Sequence, residues 1–183
     1  MNLLPQRFVA ALSFAACASA HAGLLGSQVT MNYLYTDFII SQAFTVVSTA
    51  EVTCTGNGAG NATICGLLAT PGSTQVIDIR DNGFTYALTG AAEVFEQEFE
   101  VLSFHNLDAF GPIGAALITS NIPGMSAARL SFSTYGVSIN MSGLTVSNQQ
   151  GFNIVLQGVP EPQTWALVVA GLMGAGAAAR RRA

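Results

Sequence analysis

From Tyr135 to Ser142 the chain alternates strictly: Tyr135, Val137, Ile139 and Met141 are apolar, and Gly136, Ser138, Asn140 and Ser142 fall between them. Side chains of a strand point to opposite faces with a period of two, so this pattern fits a strand with one packed and one wet face, not a helix. Gln75 to Arg80 and Phe84 to Leu88 flank Asp81-Asn82-Gly83, where Asn-Gly suits the positive φ of a type I′ hairpin turn. Further strands are expected at Tyr33 to Ile40, Ala43 to Val47, Glu93 to Ser103, Ala115 to Thr119, Arg129 to Phe132 and Phe152 to Leu156. Short strands, turns of Gly, Asn and Ser, and the lack of a convincing amphipathic helix point to an all-β domain: an antiparallel β-sandwich of the jelly-roll or Ig-like class. A barrel of the same strands satisfies the pattern equally well.

The two ends follow different rules. Met1 to Ala22 carries Arg7, an apolar run from Phe8 to Ala16, and small residues at cleavage-competent spacing in Ala20-His21-Ala22. This is the pattern of a secretory signal peptide, with cleavage expected after Ala22 to leave Gly23 first. Ala18-Ser19-Ala20 offers a second site, and Phe14-Ala15-Ala16-Cys17 only loosely matches a lipidation motif. At the other end Val159-Pro160-Glu161-Pro162 precedes 16 uncharged residues, Thr164 to Ala179, and then Arg180, Arg181 and Arg182. A helix of that length extends about 24 Å, short of a ~30 Å hydrocarbon core. Arginine side chains reaching to the headgroups lengthen it and favour a cytoplasmic end. Pro160 and Pro162 remove backbone donors and disfavour helix, which leaves an extended peptide just before the membrane, open to a processing enzyme.

These residues resemble the PEP-CTERM sorting domain of exported Gram-negative proteins: a Pro-Glu-Pro element, an apolar helix with Trp165 near its start, and a terminal arginine cluster. The resemblance covers roughly the last 24 residues, and implies that a membrane transpeptidase-like enzyme, exosortase, recognises Pro160, Glu161 and Pro162 and removes the tail. Arg180, Arg181 and Arg182 would be the retention cluster, holding residues 164–182 transiently in the inner membrane. It further implies a surface or extracellular product, of the kind linked to exopolysaccharide and biofilm matrix. The expected organisation is a signal peptide at 1–22, an all-β mature domain at 23–158, and a sorting segment with an apolar helix at 159–183.

Removing both ends changes the composition. Residues 23–159 keep two basic residues, Arg80 and Arg129, against nine acids, a formal charge of −7 without a lysine. Nucleic acid is excluded as a partner, because phosphate contacts depend on Lys and Arg. The mean hydropathy of +0.46 is raised by the two apolar ends and does not make the chain an integral membrane protein. Cys54 and Cys65 are the only thiols left, and an even pair in an oxidising compartment is most simply a disulfide. The Gly- and Asn-rich loop between them, flanked by Glu51-Val52-Thr53 and Thr63-Ile64, reads as a hairpin tip stapled across its base. No cofactor and no metal are expected: two cysteines without a neighbouring histidine make a weak metal site.

The candidate for chemistry is the acidic strand. Along Glu93 to Val101 a continuous strand puts Glu96, Glu98 and Glu100 on one face and Phe95, Phe99 and Val101 on the other. Residues two apart lie roughly 6.5–7 Å apart, near the lower end of the ~6.5–9.5 Å carboxyl separation of inverting glycosidases. The same acids offer contacts to an ion or a glycan, although their spacing matches no calcium loop. A solvated strand face that discourages edge-to-edge association needs the same residues. His105 is the one histidine of the mature domain, with no nucleophile elbow, P-loop or zinc-protease motif beside it. The expectation is therefore a non-catalytic structural or interaction protein, not an enzyme; the alternative is an extracellular glycan-binding or glycan-hydrolysing protein using Glu96, Glu98 and Glu100.

Overall fold

The period of two is realised in the strands described between Gln28 and Gly158. The computed structural model describes residues 23–56, 59–60, 62–68, 71–95, 99–159 and 169–173. The expected signal peptide and most of the expected sorting helix lie outside these residues. Residues 169–173 are helical, and among the described residues no helix is long and apolar enough to cross a membrane.

In chain order the strands are β1 (Gln28–Tyr35), β2 (Phe38–Thr45), β3 (Val52–Thr55), β4 (Ala59–Gly60), β5 (Ser73–Arg80), β6 (Gly83–Gly90), β7 (Glu93–Val94), β8 (Glu100–His105), β9 (Ile113–Ser120), β10 (Leu130–Ser133), β11 (Gly136–Asn140), β12 (Thr145–Val146) and β13 (Gln150–Gly158). A short helix, α1 (Cys65–Leu68), follows β4, and 3-10 turns occupy Asp108–Phe110 and Ala127–Arg129. Two main sheets result, ordered β10-β11-β8-β1-β2 and β4-β3-β5-β6-β13-β9, with a two-stranded β12-β7 ribbon beside them. Every pairing is antiparallel.

Both sheets give their inner faces to one core. Val29, Met31 and Tyr33 of β1, Leu102 and Phe104 of β8, and Val137 and Ile139 of β11 are buried from one sheet. Ile77 and Ile79 of β5, Phe84, Tyr86 and Leu88 of β6, and Phe152, Ile154 and Leu156 of β13 are buried from the other. At the centre the rings of Phe84 and Phe104 stack with centroids 4.0 Å apart. Each such side chain contributes about 1.5–3 kcal/mol by leaving water, and an aromatic pair about 0.5–1.5 kcal/mol more.

Four expectations need correction. The run Tyr33 to Ile40 is not one strand but parts of β1 and β2, joined at Thr36-Asp37, where Thr36 takes a φ of 53°. The run Glu93 to Ser103 is also broken: β7 pairs with β12, whereas β8 pairs with β1 and β11 in a different sheet. The Asp81-Asn82 hairpin forms with Arg80 opposite Gly83, yet neither turn residue nor Gly83 has a positive φ. Gly83 is needed for a different reason, since a Cβ there would collide with the carbonyl oxygen of Ile154 on β13. Finally, Thr63-Ile64 is a turn leading into α1 and not a returning strand.

Candidate functional site

Of the acids expected on one wet face, Glu96 and Glu98 lie outside the described residues, and Glu100 points inward. Glu100 is 3% exposed, whereas Phe99 beside it is 55% exposed, the reverse of the expected facing. The physical reason is the break before β8. The residue that opens β8 pairs with Tyr35 of β1, and its side chain is directed to the core side of that sheet. The Tyr33 hydroxyl donates to Glu100 Oε2 at 2.9 Å, the Glu100 amide donates to Ser142 Oγ at 2.8 Å, and the Met141 amide donates to the Glu100 carbonyl at 2.7 Å. Glu100 thus joins β1, β8 and the end of β11.

A second carboxylate completes this inner polar group. The Tyr86 hydroxyl donates to Gln75 Oε1 at 2.9 Å, and Gln75 Nε2 donates to Glu93 Oε2 at 3.2 Å. Burial, followed by the charge of Glu100 and the hydrogen bond to it, pushes the Tyr33 phenol far above its ordinary range. Burial and then the charge of Glu93 do the same to Tyr86. Both phenols therefore remain donors. Tyr33, Ile77, Tyr86, Phe95, Leu102 and Met141 enclose a void of about 10 Å³, at the lower limit for one water molecule and too small for a sugar. The Tyr33–Glu100 bond ties β1 to β8 within one main sheet, the Tyr86–Gln75–Glu93 chain ties β5 and β6 of the other to β7, and the void between them has no room for a glycan.

The remaining expected positions are placed as follows. Cys54 and Cys65 form a disulfide with Cα atoms 5.0 Å apart. It does not staple two strands across a hairpin base: Cys54 stands on β3 opposite Gly60, and Cys65 opens α1 beyond the hairpin. Gly60 leaves room for the bridge, because a Cβ there would meet Cys65 Sγ. His105 is exposed at the end of β8, with Nε2 3.2 Å from Ser103 Oγ. Among the described residues no three His, Cys, Asp or Glu side chains are grouped to hold a metal ion. Ala22, Pro160, Glu161, Pro162, Arg180, Arg181 and Arg182 lie outside the described residues. Gly23 is described, and its neighbours are fixed on the β5–β6 turn: Leu24 N donates to the Asp81 carbonyl at 2.9 Å and Leu25 N to Asp81 Oδ1 at 3.2 Å.

One surface feature escaped sequence reasoning. The outer face of the six-stranded sheet bears a groove of about 670 Å³, lined by Thr85, Ala87 and Thr89 of β6, by Gly151 and Asn153 of β13, and by Thr119 of β9 among others. Cross-strand register aligns Asp78, Thr85, Asn153 and Thr119 in one row across four strands. No motif encodes such a row, which exists only once register is known.

No curated protein and no solved structure matches the chain. Residues 158–182 match the family model described as the PEP-CTERM protein-sorting motif. That stretch holds the Pro-Glu-Pro element, the apolar segment and the three arginines read from the sequence, so the chain carries a PEP-CTERM sorting motif, which implies an exported protein that is an exosortase substrate.

Proposed function

We propose that the mature domain is a non-catalytic structural or interaction protein of the cell surface or extracellular matrix, in the setting of biofilm and exopolysaccharide. We further read its two-layer fold as a β-sandwich of the jelly-roll or Ig-like class. The sorting motif at residues 158–182 carries the reading, since it commits the chain to export. The inner placement of Glu100 supports it: the one described member of the acidic trio accepts a hydrogen bond in the core, where a substrate does not reach. In this reading residues 164–182 hold the chain in the inner membrane until exosortase removes them, and the acidic sandwich is released outside.

Fractionation of intact cells with mass spectrometry of the mature termini tests the route. Peptides from Trp165 to Ala183 should be missing from the extracellular product; their presence there contradicts processing. The purified full chain should leave polysaccharides unhydrolysed. Turnover that Glu98→Gln abolishes would instead establish the enzymatic alternative.

A further inference from the structure

We propose that the groove on the outer face of the six-stranded sheet binds a neutral glycan chain. The inference rests on the reading of the domain as a non-catalytic interaction protein and names its ligand class. The groove is shallow and open, with a volume of about 670 Å³. Its shape follows from side-chain size. Ala87 on β6 lies opposite Gly151 on β13, giving a floor almost without side chains. A Cβ on Gly151 would collide with the carbonyl oxygen of Tyr86, so the floor is kept low by the backbone itself. Thr85, Asn153 and Thr119 form the wall on one side, and Thr89 and Gln149 line the groove on the other. Strands about 4.8 Å apart make the three-residue wall about 10 Å long.

The chemistry of the lining selects the ligand. The walls offer hydroxyl and carboxamide groups, and among the described residues none hydrogen-bonds the side chains of Thr85, Asn153 or Thr119. The floor and the threonine methyls present carbon. A sugar ring has this same division, with hydroxyls at its edge and C–H groups on its faces. Charge argues against an anionic polymer. Residues 23–159 carry a formal −7, and Arg80 at the groove is bonded to Asp78 Oδ2 at 2.9 Å, which cancels its charge locally. The end of the groove is held before any ligand arrives: Asn121 Nδ2 donates to the Gln149 carbonyl at 3.0 Å, and the Gly151 amide donates to Asn121 Oδ1 at 2.8 Å. A site that needs no ordering retains more of its contact energy as affinity.

The test is calorimetric titration of the full chain, purified in detergent, with cellohexaose, laminarihexaose, maltohexaose and mannohexaose, and with an alginate hexamer as the anionic probe. At least one neutral probe should bind and alginate should not. Asn153→Ala should weaken binding about tenfold, Ala87→Phe should abolish it by filling the floor, and Thr30→Ala on the other sheet should leave it unchanged. Near-ultraviolet circular dichroism establishes that each variant is folded, and Thr119→Ala replaces Ala87→Phe if the larger residue disturbs the sheet. No binding by any neutral probe, binding that survives both Asn153→Ala and Ala87→Phe, or binding of alginate alone overturns the assignment. An extracellular protein that binds no probe loses the groove and keeps the proposed function. A protein that binds a probe and cleaves it keeps the groove and loses the non-catalytic reading.

Discussion

Glu100 stands where a period-two reading carried forward from Glu96 and Glu98 would place a wet side chain, and it accepts the Tyr33 hydroxyl in the core instead. Removing a buried acceptor leaves a buried donor unpaired and opens a cavity, whereas exchanging carboxylate for carboxamide keeps an acceptor in place. Glu100→Ala should therefore lower stability by about 3 kcal/mol and Glu100→Gln by about 1 kcal/mol, read as shifts in the urea midpoint. Equal losses would show that Tyr33 gains nothing from the acceptor. The phenols set a pH limit as well. Tyr33 and Tyr86 both hold their protons more tightly in the folded chain than in the unfolded one. Their contribution is complete below about pH 10 and is lost as pH rises above it, by up to about 1.4 kcal/mol per pH unit for each phenol. In an absorbance titration, these two of the four tyrosines should ionise only together with the loss of circular dichroism. Ionisation of all four while the fold is intact would contradict the assignment.

At the scale of elements, what the sequence made legible depended on whether a turn left a chemical mark. β5, β6, β11 and β13 alternate cleanly and are bounded by Gly, Asn or Ser, and their expected positions hold. The β1–β2 turn carries no glycine or proline; Thr36 adopts the left-handed region that such residues usually occupy, so the run from Tyr33 to Ile40 looked continuous. The break inside Glu93 to Ser103 was hidden similarly, because alternating acids and aromatics on both sides of it mimic one strand. The cysteine pairing was legible from count alone, but not that Cys65 opens a helix. The closed loop is short, with the cysteines 11 residues apart, and the chain-entropy model gives about 2–3 kcal/mol for it. A Cys54→Ala/Cys65→Ala chain should lose that amount in urea with an unchanged m-value. A loss below about 1 kcal/mol would mean that β3 and α1 are already fixed by packing, Val52 and Ile64 being fully buried.

Across the whole molecule, residues 23–159 carry few positive charges and use them internally. Arg129 donates to the carbonyls of Gly124, Asn140 and Ser142 at 3.0, 3.2 and 2.8 Å, tying the segment before β10 to the end of β11. Arg80 is paired with Asp78. Signal-peptide removal after Ala22 would add a third cation, the ammonium of Gly23, at a place where the structure already supplies its partner. Leu24 and Leu25 are hydrogen-bonded to Asp81, Leu24 is fully buried, and the Cα of Gly23 lies so close to the Asp81 carboxylate that a Cβ would overlap it. Cleavage at that bond would therefore place an ammonium beside the Asp81 carboxylate at the β5–β6 turn, where an ion pair is expected that the precursor lacks. An exposed pair of this kind contributes about 0.5–1 kcal/mol. Asp81→Asn should accordingly destabilise the cleaved chain more than the precursor, by that difference, and the excess should fade in high salt. An equal loss in both forms would assign Asp81 to the backbone bonds alone, and an N-terminus other than Gly23 in the secreted product would remove the pair altogether.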